Sequence, residues 1–304
     1  MELIRCENVV KQYGAFKALD NVSLSIPQGK VFGFLGPNGA GKTTLIRIIN
    51  RITLPTEGRV LFNGKELRLS DMESIGYLPE ERGLYKKMKV GEQAIYLARL
   101  KGLSRQQATK ELMVWFRKFG IEPWWNKKVE ELSKGMAQKV QFITTVLHRP
   151  KLLILDEPFS GFDPINVNLI KDEIVRLKNE GCSIILSTHN MESVEQMCDE
   201  IALINKAKLV ISGNVEQIRK QYGGNRVEVV YTGCEQLQSC DLFSVVATEQ
   251  QKEATRSVLE LSGNVNNNNL LSVIMQQCQV ISFQQLMPKM NEIFIKLVGG
   301  KDNE

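Results

Sequence analysis

The chain has 304 residues, of which 43% are hydrophobic and 24% are charged, a composition typical of globular proteins and not of disordered ones. This length allows one large hydrophobic core and a smaller second unit. The longest apolar runs, such as Val31–Leu35 and Leu152–Leu155, are far shorter than the ~18 to 20 residues of a membrane-spanning helix. We therefore expect no membrane span, and a cytoplasmic location because the first residues lack a basic segment followed by an apolar run.

The formal net charge of +5 is unevenly distributed along the chain. Residues 1–220 carry 33 basic and 25 acidic side chains, whereas residues 221–304 carry 6 basic and 9 acidic side chains. This difference indicates two parts with different roles. A moderate basic excess is compatible with nucleotide phosphates, anionic lipid or nucleic acid as a partner, so charge alone does not select the function.

Six cysteines are scattered along the chain, at positions 6, 182, 198, 234, 240 and 278. The absence of any C-x-x-C pair argues against a zinc site and against a disulfide framework. We interpret these cysteines as packing or surface thiols.

Short apolar runs alternate with helical patterns through most of the first 220 residues. The third run is followed by a glycine-rich turn and by a helix-forming segment that starts at Lys42. This alternation predicts an α/β fold whose central sheet has a parallel core. The runs that predict strands are Leu3–Val10, Val22–Ile26, Val31–Leu35, Ile75–Leu78, Lys151–Leu155 and Ser183–Leu186.

Two segments depart from this alternation. Residues 90–148 show apolar spacing of period 3.6 without a strand, which predicts a helical insert within the α/β domain. Near Tyr222–Gly224 a strand-like segment begins, and it continues through the asparagine-rich stretch Asn264–Asn269 to a final helix. We therefore predict a first domain over residues 1–222 and a small α+β accessory domain over residues 223–304, with a regulatory or dimer-stabilising role expected for the second.

A glycine-rich loop follows the strand Val31–Leu35 and fits the pattern G-x-x-x-x-G-K-[ST] of phosphate-binding loops. Its glycines allow backbone N–H groups to turn toward phosphate oxygens, and the helix that follows adds a favourable dipole. Lys42 is expected to neutralise phosphate charge, and Thr43 to offer its hydroxyl to Mg²⁺. The predicted nucleotide-binding residues of this loop are Gly36, Pro37, Asn38, Gly39, Ala40, Gly41, Lys42, Thr43 and Thr44.

Two carboxylates end the apolar strand Leu152–Leu155. Asp156 is expected to face Mg²⁺, and Glu157 to polarise an attacking water. A buried strand that ends in acidic residues is common, so this pattern is weak by itself. Its position downstream of a phosphate loop makes it informative.

The sequence Leu132–Met136, LSKGM, precedes that strand and resembles the signature motif of ABC (ATP-binding cassette) ATPases. Further elements follow the family order: Tyr13 near the start, Tyr77–Glu80 at the Q-loop, Ser160–Asp163 at the D-loop and Ser187–His189 at the switch histidine. The resemblance covers residues 1 to about 222. It implies an α/β phosphate-loop NTPase fold of the ABC type, with a helical subdomain at about 90–148, that binds ATP and Mg²⁺ and hydrolyses ATP.

The resemblance also implies roles for individual side chains. Tyr13 would stack on adenine, although its ring would otherwise be interpreted as a packing residue. The catalytic residues would be Lys42, Glu157 and His189, with His189 bonded to the γ-phosphate or to the water near Glu157. His148, at a predicted helix end, is interpreted as structural. The implied Mg²⁺ ligands are Thr43, Asp156 and Glu80.

Three residues depart from the family pattern. Lys134 replaces a glycine and Met136 a glutamine of the usual signature, whereas Ser133 and Gly135, which would meet the γ-phosphate of a partner, are retained. Glu80 replaces the Q-loop glutamine and would bring an anionic oxygen near Mg²⁺, with an effect on metal affinity or on coupling to a partner. A further implied nucleotide contact, at the D-loop, is Asp163.

Basic residues follow the Q-loop at Arg82, Lys86, Lys87 and Lys89, on the surface that faces the membrane subunit in ABC transporters. A solvated surface and a docking or lipid-facing patch both account for them. The C-terminal segment is similar to the small extension on ATPases that serve type-2 exporter permeases, including sodium, drug and gliding-motility systems.

The leading hypothesis from this resemblance is the energy-coupling subunit of an ABC exporter. Two copies would pair head to tail as a homodimer, and their ATP cycle would act on a separate permease chain at the cytoplasmic face of the membrane. The alternative is a soluble ABC ATPase acting on the ribosome or on nucleic acid. Such proteins usually carry tandem cassettes or long coiled-coil or zinc insertions. This sequence has one phosphate loop, no heptad array and no cysteine cluster, so no nucleic-acid partner is expected. A phosphate-loop kinase would leave the signature and the D-loop unexplained.

Overall fold

The structure, a computed structural model, describes residues 1–81, 83–223, 225–263 and 265–299. The chain divides into two compact units, Met1–Val215 and Glu216–Glu304. The boundary between the two units lies at the start of the helix Val215–Tyr222. The boundary expected from the sequence, between residues 222 and 223, lies at the end of this helix. Arg82 of the basic segment, Gly224 and Asn264 lie outside the described residues.

The first unit consists of strands and helices in alternation. Its helices are α1 (Lys42–Ile49), α2 (Val90–Leu100), α3 (Arg105–Lys118), α4 (Lys134–Val146), α5 (Pro164–Asn179) and α6 (Met191–Met197). Its strands are β1 (Glu2–Tyr13), β2 (Phe16–Pro27), β3 (Val31–Leu35), β4 (Glu57–Phe62), β5 (Lys65–Glu66), β6 (Ile75–Leu78), β7 (Leu152–Asp156), β8 (Ser183–Ser187), β9 (Glu200–Asn205) and β10 (Lys208–Asn214).

The strands form two sheets. The central sheet has the order β10-β9-β3-β8-β7-β6, and every neighbouring pair from β9 to β6 is parallel, with β10 added antiparallel at one edge. The other sheet is antiparallel, with the order β2-β1-β4-β5. The predicted α/β fold with a parallel core is confirmed.

The central strands are buried along their whole length because other elements cover both faces of the sheet. All five residues of β3, of β7 and of β8 are buried, and Phe32 and Phe34 meet edge to face at 5.6 Å between ring centroids. Parallel sheets of this kind bind ligands at the carboxyl ends of their strands. The loops after β3, β7 and β8 therefore mark the place for a functional site.

Residues 90–148 contain three helices, with short 3₁₀ turns at Glu122–Trp124 and Val129–Glu131. Ser104 caps α3, since its hydroxyl accepts a hydrogen bond from the Gln107 N–H at 3.2 Å while the Gln107 side chain accepts from the Ser104 N–H at 3.0 Å. The helices pack through an aromatic cluster in which Trp115, Phe119 and Phe142 contact one another. The described part of the chain contains no helix that is both long enough and apolar enough to cross a bilayer.

The second unit is a small α+β fold. Its sheet is antiparallel, and the helix Asn267–Gln277 contributes Leu270 and Ile274 to the core on one face. Within that core the Tyr231 hydroxyl lies 2.9 Å from Ser257 Oγ and accepts the Leu237 N–H at 3.1 Å. The elements are α7 (Val215–Tyr222), β11 (Arg226–Thr232), β12 (Phe243–Gln250), β13 (Thr255–Leu261), α8 (Asn267–Gln277), β14 (Gln279–Leu286) and α9 (Met290–Gly299), with the strand order β12-β13-β11-β14.

His148 lies just after α4, and both of its ring nitrogens are buried. Burial, together with the nearby Lys101 charge, lowers the pKa of His148 to about 4. A histidine in an unfolded chain has a pKa of about 6.5, so the unfolded chain binds more protons between these values. The stabilisation present above pH ~6.5 is therefore lost as the pH falls toward ~4.

Replacing His148 with glutamine is expected to weaken this pH dependence. Between pH 6.5 and pH 5.0, the free energy of unfolding of His148→Gln should fall by about 1.5 kcal/mol less than that of the wild type. Urea unfolding at the two pH values measures both changes, and carboxylates elsewhere cancel in the comparison. Equal decreases in the two proteins would contradict the assignment.

Candidate functional site

The phosphate loop connects β3 to α1 and depends on glycines that cannot be replaced without steric conflict. Gly36 has φ +145°, and a Cβ there would lie 2.1 Å from the Ile204 carbonyl oxygen. Gly41 has φ +117°, and a Cβ there would lie 2.6 Å from the Ala18 carbonyl oxygen. The backbone can therefore curl closely around an anion only with glycine at both positions.

Lys42 begins α1, and its side chain returns over the loop that precedes it. The Lys42 Nζ donates hydrogen bonds to the carbonyl oxygens of Gly36 at 2.6 Å and Pro37 at 3.0 Å. Burial lowers the pKa of Lys42, while the carboxylates of Glu157 and Asp156 oppose that shift. A buried ammonium at a helix N-terminus provides a strong binding point for phosphate.

The two carboxylates at the end of β7 occupy different environments. Asp156 is 3% exposed, and burial raises its pKa, with a further rise from the charges of Glu80 and Glu157. Glu157 follows in the left-handed region at φ +49°, which for a residue other than glycine costs about 1 kcal/mol or more. Its N–H donates to the Ser187 carbonyl at 2.9 Å, which holds this strained turn against the end of β8.

A hydrogen bond joins the side chains of Glu157 and His189. His189 Nδ1 lies 2.9 Å from Glu157 Oε1, and the Thr188 hydroxyl donates to Glu157 Oε2 at 3.4 Å. The Glu157 side chain is 15% exposed, whereas that of His189 is 76% exposed. The pair thus consists of a shielded carboxylate and a solvent-facing imidazole.

These groups surround one cavity of about 290 Å³. It brings together the predicted residues Asn38–Thr44, Glu80, Asp156, Glu157 and His189. Gly36 and Pro37 do not line the cavity, but their carbonyl oxygens accept hydrogen bonds from Lys42, which does. Three further residues without a predicted role also line the cavity: Phe16, Ala18 and Ser187, the first residue of the motif Ser187–His189.

Tyr13 does not line this cavity, whereas Phe16 does. The two residues face each other across the end of the β1–β2 hairpin, where Tyr13 pairs with Phe16. Tyr13 is 49% exposed, and the Lys11 ammonium lies 4.9 Å from its ring centroid. An aromatic residue on each side of the two-residue turn is the sequence signal that would have indicated Phe16.

Ser133, Gly135 and Asp163 also lie outside the lining of this cavity. Ser133 caps α4 by accepting a hydrogen bond from the Met136 N–H at 3.3 Å. Asp163 caps α5 by accepting from the Asn166 N–H at 3.0 Å, and these hydrogen bonds from Asn166 lower its pKa.

The residues of the cavity fit a nucleoside triphosphate and a divalent cation. The glycine cradle and the Lys42 ammonium suit phosphate oxygens, and the Thr43 hydroxyl and the carboxylates suit Mg²⁺. Among the described residues, no three His, Cys, Asp or Glu side chains are close enough to hold a metal ion together. Mg²⁺ sites in proteins commonly use one or two carboxylates and complete the shell with phosphate and water.

Comparisons with known proteins identify both units. The ABC transporter family model matches residues 19–160, and the model of the ATP-binding protein DrrA1-3-like C-terminal domain matches residues 213–298. An uncharacterized ABC transporter ATP-binding protein, YhaQ of Bacillus subtilis, is 42% identical over 302 residues, which cover 98% of this chain and 99% of YhaQ. The lantibiotic transport ATP-binding protein SrtF of Streptococcus pyogenes is 32% identical over 73% of this chain and 93% of SrtF.

Comparison with solved structures leads to the same family as the comparison of sequences. A structure described as the ATP-binding subunit of an ABC transporter has a TM-score of 0.68 and 30% identity, and the match covers 72% of this chain and 93% of that chain. The chain belongs to the ABC transporter family, as an ATP-binding subunit. It binds and hydrolyses ATP, and its C-terminal unit is of the DrrA-like type. The resemblance, the fold class and the ATPase activity predicted from the sequence are confirmed.

Proposed function

We propose that this chain powers an ABC exporter by forming an ATP-dependent homodimer that acts on a separate membrane permease. The observation that carries the proposal is the single cavity lined by the phosphate loop, Asp156, Glu157 and His189. ATP hydrolysis needs a phosphate-binding group, a metal site and a base, and each is present among these residues.

In this proposal Lys42 holds the β- and γ-phosphates, while the loop N–H groups contact phosphate oxygens. Thr43, Asp156 and Glu80 hold Mg²⁺, which supplies charge neutralisation for the phosphates. Phe16 and Tyr13, at the hairpin end, are the two aromatic residues available for stacking on adenine.

Glu157 is the proposed general base. Its carboxylate accepts a proton from the attacking water, and the hydrogen bond between Oε1 and His189 Nδ1 orients that carboxylate toward the cavity. Because His189 is exposed on its other side, it is also available to the γ-phosphate. The ring can therefore keep its hydrogen bond to Glu157 through Nδ1 while its other nitrogen faces the nucleotide.

The dimer follows from the position of the signature. Ser133 and Gly135 do not line the cavity of their own chain, and Ser133 lies exposed at the N-terminus of α4. A helix N-terminus with a hydroxyl is a favourable site for phosphate. We therefore place Ser133 and Gly135 against the γ-phosphate bound by a second copy, with Asp163 near the same interface.

The permease and the direction of transport are proposed from the relatives. SrtF is named for lantibiotic transport, and the DrrA-like domain matches the C-terminal unit. The chain would therefore lie at the cytoplasmic face of the membrane, bound to its permease. Co-expression with the membrane protein encoded beside it tests this: the tagged permease should retain the chain in detergent and change its ATPase rate. Retention on ribosomes or nucleic acid instead would favour the alternative function.

Replacing Glu80 with glutamine is expected to weaken the use of Mg²⁺. The change keeps the size and a carbonyl oxygen but removes one negative charge from the proposed metal site. The Mg²⁺ concentration that gives half-maximal ATPase activity should rise about three- to tenfold. Glu81→Gln, which removes the adjacent exposed charge, is the matched control. An unchanged half-saturation in Glu80→Gln would remove Glu80 from the metal site.

A further inference from the structure

The start of α4 packs against the D-loop of the same chain. The Lys134 side chain lies across Gly161 so closely that a Cβ built on Gly161 would be 2.5 Å from Lys134 Cε and 2.9 Å from Lys134 Cδ. One turn further along α4, the Gln138 Nε2 donates a hydrogen bond to the Pro158 carbonyl oxygen at 3.0 Å. Two side chains on one face of the helix thus contact the same short loop.

The contact requires both residues. Gly161 has φ +84° and no side chain, which leaves its Cα open to the methylene groups of Lys134. Lys134 lines a cavity of about 280 Å³ together with two acidic residues, Glu80 and Glu81. Apolar contact for the methylene groups and acidic surroundings for the charge are the two environments that a lysine side chain favours.

The contact between Lys134 and Gly161 connects two parts of the chain that face different nucleotides in the proposed dimer. Lys134 directly follows Ser133, which we place against the nucleotide of the partner. Gly161 lies in the loop that begins directly after Glu157, the proposed base. This loop ends at Asp163, which caps α5. A shift of α4 that is transmitted through Lys134 therefore reaches Glu157 over a few residues of backbone.

We propose that Lys134 is a positioning residue that holds the D-loop against the signature helix of its own chain, so that closure on the partner's nucleotide aligns Glu157. The inference rests on the proposed function of Ser133 and Glu157. It assigns a purpose to a lysine at a signature position where the family has glycine. ATP binding by the phosphate loop does not depend on this contact, so loss of the contact lowers kcat and leaves KM for ATP nearly unchanged.

A double-mutant cycle on the full-length chain tests the contact, with steady-state ATPase rates as the measurement. We expect Gly161→Ala alone to lower kcat about tenfold, because its methyl group displaces the Lys134 side chain, with KM for ATP within about twofold of wild type. In the Lys134→Ala background, where that space is free, Gly161→Ala should lower kcat by less than about twofold. The strain of alanine at a positive φ is the same in both backgrounds and cancels.

Gly181→Ala is the matched control, because Gly181 also has a positive φ, +95°, but has no atom near the position of a new Cβ. Its kcat should equal that of the wild type. If Gly161→Ala lowers kcat by the same factor with and without Lys134, the side-chain contact has no role and the proposal is overturned.

A second pair of variants keeps the test decisive if Gly161→Ala does not fold. Lys134→Met retains a long side chain without the charge, whereas Lys134→Ala retains neither. We expect Lys134→Met to turn over ATP several-fold faster than Lys134→Ala, with equal KM values. Equal rates in the two variants would overturn the packing role. Loss of turnover in Glu157→Gln, measured in the same series, tests the proposed function separately.

Discussion

Replacing Glu157 with glutamine is expected to reduce ATP turnover at least a hundredfold while ATP binding persists. Glutamine keeps the size of the side chain and a hydrogen-bonding oxygen, but it cannot accept a proton from water. The carboxylate is held by His189 and Thr188 in the cavity, and removal of its charge leaves the phosphate loop untouched. Phosphate release and equilibrium binding of ATP, measured on the same preparation, separate the two effects.

Two further variants define the role of Glu157. Glu192→Gln, which removes an exposed charge from the nearby α6, should retain the wild-type rate. Asp156→Asn should weaken binding of ATP with Mg²⁺, because Asp156 is the proposed metal ligand. If Glu157→Gln hydrolyses ATP at the wild-type rate, Glu157 is not the general base.

Replacing Lys42 with alanine is expected to abolish ATP binding, with a loss of affinity of at least about a hundredfold. The ammonium is the one cation among the side chains that line the described cavity, where it stands opposite the carboxylates of Asp156 and Glu157. Without it, no side-chain cation of the lining offsets the negative charges that the phosphates would meet. Isothermal titration with ATP and Mg²⁺ measures the loss.

The protein should remain folded after this change, because the carbonyl groups of Gly36 and Pro37 that Lys42 contacts border a cavity that water can enter. Circular dichroism and thermal unfolding verify the fold. Lys30→Ala, which removes a half-exposed lysine paired with Glu200, should bind ATP as the wild type does. Micromolar ATP binding by folded Lys42→Ala would disprove the assignment.

The strands that the sequence predicts best are those of the buried sheet. The predicted runs Val31–Leu35 and Ile75–Leu78 coincide with β3 and β6, since a parallel strand covered on both faces requires a continuous apolar run. The antiparallel hairpin is longer than predicted. β1 continues to Tyr13 and β2 begins at Phe16, because backbone pairing extends beyond the alternating apolar runs, through Gln12 with Lys17 and Tyr13 with Phe16.

The cavity-lining residues that the sequence predicts belong to motifs of contiguous residues, such as the phosphate loop. Phe16 belongs to no such motif: the aromatic pair around the turn indicates the end of a hairpin, but the place of Phe16 in the cavity depends on how the β1–β2 hairpin turns. The contact of Lys134 with Gly161 joins the start of α4 to a loop beyond β7. The sequence around Lys134 does not indicate a contact with Gly161, and the sequence around Gly161 does not indicate one with Lys134. The three-dimensional structure is therefore needed to find such a contact.

The central claim is that each catalytic site is completed by the signature of a second copy, and two inactive variants test it when they are mixed. Ser133→Asp keeps a residue that can cap α4 but places a carboxylate against the partner's γ-phosphate. Glu157→Gln lacks the base. Ser104→Asp, which changes the serine cap of α3 in the same way, should remain active and serves as the control.

Mixed before ATP is added, the two variants form dimers in which one site has the intact Glu157 of one chain and the intact Ser133 of the other. ATPase activity of the equimolar mixture is the decisive measurement. We predict that it rises to about a quarter of the wild-type rate, since half of the dimers are mixed and each has one complete site of two. A mixture no more active than the two variants measured separately would contradict a site shared between two chains.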